Sequence, residues 1–194
     1  MPARLKKPKT KTQKKFAASA AALALLTALA SHSIGDKCGG VERWDVKTLT
    51  DNNIDKVDFN ASTSTIAHLE TLNAPNWGTK LPRQTDETKV YTIECTIPQY
   101  IWEDDDDVHL VLTDGSHTMV GEIPDPFCPN SLSGKSKKFE TARKNFNSVA
   151  AHNEYKNHRF RITGVLFFDK PAHGTGHSDN GAELHPILSL EAIN

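Results

Sequence analysis

Three places along the chain hold residue types that could do chemistry. Within the acidic run 103–107, Asp104–Asp107 end two residues before His109, and Glu122 and Asp125 sit three apart in EIPDPF. Asp169, His173, Glu183 and His185 share the stretch RFRITGVLFFDKPAHGTGHSDNGAELHPILSLE, Arg159 to Glu191. Carboxylate oxygens suit hard divalent cations and imidazole suits zinc. A metal-dependent hydrolase or nuclease-like enzyme around the 169–185 loop is therefore one function these residues allow, with Asp169, His173, Glu183 and His185 as ligands. The tight signatures are missing: there is no H-E-x-x-H and no C-x-x-C, and EDDDD lacks the turn glycine and closing Glu of an EF-hand loop. There is also no G-x-S-x-G elbow for a serine nucleophile.

Taken singly, most of these residues have a plainer reading. The acidic run reads as a hairpin tip kept soluble by its charge, and His185 as a hydrogen-bonded strand residue. His173 and His177 lie four apart in a Gly-rich loop, where no helix fixes their spacing. No catalytic residue and no metal site are assigned. What stands is a ligand-binding set: Asp107, His109, Glu122, Asp169, His173, Asn180, Glu183 and His185.

The elements that must position this set follow from hydrophobic periodicity. Arg159–Asp169 alternates Phe160, Ile162, Gly164, Leu166 and Phe168 against Arg159, Arg161 and Thr163. The last strand, 183–192, alternates Leu184, Pro186, Leu188 and Leu190 against Glu183, His185, Ser189 and Glu191. Period-two alternation predicts half-buried strands. Three more strands are expected, VYTIECTIPQYIW (90–102), VHLVL (108–112) and HTMVGEIP (117–124), with Pro98 marking an edge or bulge in the first. Between the third and fourth strands, Phe139, Ala142, Phe146, Val149 and Ala150 share one face of a helix over Ser136–Ala151. Lys137, Lys138, Arg143 and Lys144 line its solvated face. The order βββαββ predicts a mainly β domain with one long helix, a five-stranded OB-fold-like Greek-key barrel over 89–194. A mixed α+β sheet is the competing layout. Residues 31–88 read as an irregular extension with one short helix, Ser64–Leu72. Within them Asn60-Ala61-Ser62 is a formal glycosylation sequon.

Charge divides the chain. Residues 1–30 carry seven basic and no acidic side chains, leaving 16 basic against 24 acidic in the remainder, a net of −8. Non-specific nucleic-acid binding depends on Lys and Arg neutralising phosphates, so the acidic body makes nucleic acid an unlikely partner. A basic stretch to Lys15, the uncharged run Phe16–Ala30 and the Ala28-Leu29-Ala30 cleavage motif predict a signal peptide over 1–30. A fifteen-residue uncharged run falls short of the ~20 that a membrane helix needs. The mature chain is expected in the periplasm or medium with no transmembrane segment.

Export permits disulfides. Cys95 shares the alternating face of Tyr91, Ile93 and Ile97 and reads as a small buried hydrophobe. Cys38 and Cys128 both lie in Gly/Pro-rich segments, which favours pairing them.

The blocks ERWDVKT (42–48), DVHLVL (107–112), EIPDPFC (122–128), TGVLFFD (163–169) and HG followed by NGAELHP (180–186) resemble a family of small exported bacterial proteins of uncharacterised function. The resemblance covers nearly all of residues 38–190 and implies cysteines at positions 38 and 128. It implies no activity, and His177 departs from its usual loop pattern. The expected function is a non-catalytic extracytoplasmic binding module for a small ligand, an oligosaccharide or a protein partner. It calls for no cofactor, a divalent metal being the one exception left open.

Overall fold

The computed structural model describes residue 40 and residues 42–128 and 136–193. The expected signal peptide, its cleavage site and Cys38 lie outside the described residues. In chain order the elements are α1 (Trp44–Lys47), β1 (Asp58–Thr63), α2 (Ile66–Leu69), β2 (Lys89–Trp102), β3 (Val108–Thr113), β4 (Thr118–Ile123), α3 (Ser136–Ala150), β5 (Arg159–Phe168) and β6 (Ala182–Ile193), with short 3-10 turns between some of them. Among the described residues, no helix is long and apolar enough to cross a membrane.

The sheet runs β1-β2-β3-β4-β6-β5, and β5 also pairs with β2, which closes five strands into a barrel. All pairs around the ring are antiparallel except β4–β6. That order, with α3 between the third and fourth barrel strands, is the OB-fold. The long strand β2 does double duty. Val90–Thr96 pairs with β5, and Gln99–Trp102 pairs with β3, with the register slipping between Thr96 and Gln99. Pro98 sits in that slip, where a residue lacking an N–H breaks no ladder bond.

Leu110, Leu112, Met119, Ile123, Phe160, Ile162, Leu184 and Ile187 fill the barrel. The apolar stripe of α3 joins them through Phe139, Ala142 and Phe146, and Tyr100 meets the Phe146 ring edge-on at 5.1 Å.

Four expectations need correction. The chain has a sixth strand, β1, which runs parallel to the first half of β2 and carries the sequon. Its residues are mostly exposed and polar, so no alternation announces it. The helix expected over 64–72 shrinks to the single turn Ile66–Leu69, capped by the Thr65 side chain accepting the His68 N–H at 3.1 Å. In β6 the strict alternation fails. The β5–β6 register shifts around Gly164, so Ile187 rather than Pro186 follows Leu184 into the barrel, while Leu188 packs on the outside with Val90 and Val165. Both faces of β6 are covered, and Glu183 and His185 are buried instead of solvated. On α3, Arg143 leaves the solvated face: its guanidinium is buried, donates to the Ile123 carbonyl at 2.7 Å and to the Asp106 carbonyl, and lies over the Trp102 ring.

Buried ion pairs brace the lead-in, and hydrogen bonds to the Phe168 backbone tie it to the barrel. Arg43 donates to both carboxylate oxygens of Glu87 and to the carbonyls of Leu81 and Phe168. Arg83 donates to Asp51 at 2.6 Å and to the Val46 carbonyl at 2.8 Å. These contacts hold α1 against the outside of the barrel, where Arg43 and Lys47 both lie over the ring of Phe167 on β5.

Candidate functional site

Side chains on β3, β4 and β6 alternate between the barrel interior and its outer wall. Leu110, Gly121 and Leu184 mark the inward register, so His109, Glu122, Glu183 and His185 fall on the outer wall. His109 and Glu122 are direct cross-strand partners, and Val120 pairs with Glu183 one step away. From above, α1 brings Lys47, and the loop 103–107 brings Asp107. Asp107, His109, Glu122, Glu183 and His185 are each less than a tenth exposed.

Glu122 is the hub. Its Oε1 lies 3.1 Å from His109 Nδ1, and its Oε2 lies 2.8 Å from His185 Nδ1 and 4.0 Å from Lys47 Nζ. His109 Nε2 reaches the Thr175 carbonyl at 2.8 Å, so this ring stands between a carbonyl and a carboxylate. Both are acceptors, which demands an N–H on each ring nitrogen. Burial alone would lower the His109 pKa, but bonds to Glu103, Glu122 and Thr175 raise it to about 10.

His185 is less well served. Its Nδ1 contact with Glu122 lies outside hydrogen-bond geometry, its Nε2 is 3.9 Å from Asp107 Oδ2, and neither nitrogen has a hydrogen-bond partner. Glu183 Oε2, 3.9 Å from His185 Nδ1, is also without one. Burial disfavours the His185 cation, yet the Glu122 charge and the flanking carboxylates raise its pKa to about 9. Burial pushes Asp107 up to about 8 and Glu183 up to about 7. Glu122 goes the other way despite its burial, held well below the usual carboxylate range by His185, His109 and Lys47. Burial would likewise strip Lys47 of its proton, but Glu122, Glu183, Asp169 and Asp107 outweigh it and raise its pKa.

The expected acidic tip is therefore no mere solubilising turn. Asp107 turns inward, and its Oδ1 accepts the Asp125 N–H at 2.8 Å. Arg143 clamps the Asp106 carbonyl and so sets the loop. From the other side, the 169–181 loop closes on β3 at Gly176. A Cβ there would sit 2.6 Å from Val111 Cγ1, and its φ of +79° also favours glycine.

Of the eight residues expected to bind a ligand, five converge here: Asp107, His109, Glu122, Glu183 and His185. The other three do not. Asp169 influences the cluster by charge, but its Oδ2 lies 3.2 Å from His173 Nδ1, and the His173 ring is more than half exposed. His177 Nδ1 reaches the Gly174 carbonyl instead of sharing a ligand with His173. Asn180 is a strut: its amide donates to the Leu69 and Leu72 carbonyls at 3.0 Å each and its oxygen accepts the Ala182 N–H. The quartet Asp169, His173, Glu183 and His185 is thus not one ligand set. Two groups among the described residues do present ligand atoms within 4.8 Å of one another: Glu103 with His109 and Glu122, and Asp107 with Glu122 and His185. Sequence reasoning missed Lys47 and Glu103. The only signal for Lys47 was its place next to apolar Val46 and two residues before Leu49.

Neither a protein-family model nor a curated protein sequence matches the chain. Solved structures similar to it include Entamoeba histolytica asparaginyl-tRNA synthetase, at 12% identity and a TM-score of 0.41 over 70% of this chain and 24% of that one. A putative aspartyl-tRNA synthetase from Leishmania major Friedlin gives 11% and 0.42, over 71% and 22%. The aspartyl-tRNA synthetase of Entamoeba histolytica gives 16% and 0.42, over 71% and 22%. The chain thus spans about a quarter of the length of these enzymes. Overlap this low carries nothing about the site, and the fold rests on the strand order.

Proposed function

We propose that the protein is an exported binding module, periplasmic or secreted, that takes a small ligand on the β3–β4–β6 wall. The observation that carries this reading is the convergence of Asp107, His109, Glu122 and His185 between the loops 103–107 and 169–181. OB barrels use this wall, the second and third barrel strands with the loops joining strands one to two and four to five, for recognition. Because α1 and the 169–181 loop cover the wall, a small ligand fits better than an oligosaccharide or protein laid along an open groove. The buried carboxylates favour a cation or a hydrogen-bond donor and oppose nucleic acid. Export rests on the leader expected over 1–30, and a Cys38–Cys128 disulfide belongs to the same proposal.

A second reading, a metal-dependent hydrolase, draws support from the opposed shifts of Asp107 and Glu122. Neighbouring carboxylates whose pKa values are driven apart are the usual arrangement for acid and base roles. Amide chemical-shift mapping of the isotope-labelled mature protein tests the binding reading against a panel of amines, amino acids and small sugars. A ligand should move amides within 103–111, 120–125 and 169–185. Shifts confined to the face lined by Thr63, Thr92 and Arg161 would overturn it.

A further inference from the structure

We propose that Asp107, Glu122 and His185 form a binding site for one divalent transition-metal ion of the zinc or manganese class. The inference rests on the reading of this wall as the ligand face and names its occupant. Each of the three residues offers one ligand atom, and these atoms lie within 4.8 Å of one another. Ligands about 2.0–2.2 Å from a common tetrahedral ion stand roughly 3.3–3.5 Å apart, so a small contraction closes the set.

The deciding observation is His185. Its ring is wholly buried; Nδ1 meets only Glu122 Oε2, at 2.8 Å but outside hydrogen-bond geometry, and Nε2 has no partner within hydrogen-bond distance. Leaving such groups unpaired costs roughly 1–3 kcal/mol each. The 3.9 Å gap between His185 Nε2 and Asp107 Oδ2 is too long for a hydrogen bond. It is close to the separation of two atoms bound to one ion. Imidazole with two carboxylates matches the donor preferences of zinc and manganese better than those of calcium, which takes oxygen throughout.

Surrounding contacts hold the ligands as a metal site requires. The Asp125 N–H fixes Asp107 Oδ1 and leaves Oδ2 to turn toward the ion. His109 fixes Glu122 Oε1 and leaves Oε2 on the His185 side, while Thr175 holds His109 in turn. This last bond is why the alternative group of Glu103, His109 and Glu122 is a poorer site: both nitrogens of His109 already have partners. Charge agrees. With neutral His185, the three carboxylates of Asp107, Glu122 and Glu183, when ionised, face two cations, Lys47 and His109, an excess that a divalent cation offsets.

The test is equilibrium dialysis of chelator-treated, full-length mature protein against Zn2+ and Mn2+, with bound metal counted by mass spectrometry. One equivalent of at least one of the two should bind. His185→Gln and Asp107→Asn should each weaken binding roughly 10–100-fold or more, and His173→Ala should leave it unchanged. Should the site variants fail to fold, the imidazole nitrogen spectrum of the wild-type protein decides, because added Zn2+ must shift a ring nitrogen of His185. No binding by folded wild-type protein, binding indifferent to His185→Gln, or zinc-induced shifts on His109 alone would each overturn the proposal. The wall as ligand face fails separately, when small organic ligands map elsewhere on the barrel.

Discussion

Glu122 divides its carboxylate between two histidines, Oε1 at 3.1 Å from His109 and Oε2 at 2.8 Å from His185. The two rings come from different neighbours of β4, one from β3 and one from β6. A single side chain thus couples the antiparallel and the parallel pairings of the barrel wall.

Glu122→Gln should destabilise the metal-free protein by about 3–5 kcal/mol at neutral pH, because it leaves Lys47 and His109 buried without their main counter-charge. Urea unfolding followed by tryptophan fluorescence measures it. A loss below about 0.5 kcal/mol would mean that the cluster is solvated and the burial argument fails.

Arg43→Ala should cost about 3–5 kcal/mol and loosen the lead-in, since Glu87 would lose its buried partner and the Leu81 and Phe168 carbonyls a donor. Hydrogen exchange should rise across residues 43–49 more than across β3. Uniform exchange over both segments would show that α1 is no separate cover.

His173→Ala should shift stability by no more than about 0.5 kcal/mol, because the ring is mostly exposed and its contact with Asp169 lies at the surface. Metal affinity should stay unchanged, because His173 takes no part in the set of Asp107, Glu122 and His185. A large stability loss with unchanged affinity would make the histidine structural.

Burial pushes the Cys95 thiol up to about 12, against 9.0 for an unperturbed thiol. The folded chain therefore holds this proton while the unfolded chain releases it. Stability should fall as pH rises above about 9, and the decline should flatten in Cys95→Ala. Denaturation midpoints from pH 8 to pH 11 check the sign, and alkylation of Cys95 in native protein should be slow throughout.

Cys38 and Cys128 should appear as one crosslinked peptide in a non-reducing digest of protein recovered after export, with Ser31 at or near the new N-terminus. The chain-entropy effect of closing so long a loop is about 4–5 kcal/mol. A crosslink through Cys95, which is buried and free, would refute the pairing.

How much of this was legible in the sequence depends on whether a pattern repeats. The five barrel strands and α3 were, because periods of two and 3.6 persist over many residues. Three turns of apolar spacing, for instance, put Phe139 and Phe146 on one face. α1 was not, since a four-residue helix completes barely one turn and Lys47 looks like any surface lysine. Asp107 was named, but nothing in a run of five acids shows that it turns inward to accept the Asp125 N–H. The burial of Glu183 and His185 escaped because alternation puts them on the outer face of β6 and cannot show that α1 and the 169–181 loop cover that face. Five of the residues singled out by type come together on one wall, while their grouping depended on strand pairings that no local pattern encodes.

The bond from Arg43 to the Phe168 carbonyl joins residues 125 apart in sequence, and Asn180 reaches back 111 residues to Leu69. Contacts of such separation form late and slowly, because each closes a large loop before it yields any stabilisation. The wall cluster needs Lys47, Asp107, Glu122 and His185 together, so its formation is expected in the last stages of folding rather than in an early nucleus. A ligand that binds only the finished wall would then slow unfolding far more than it speeds refolding, and it would guard the chain against proteolysis as long as it stayed bound.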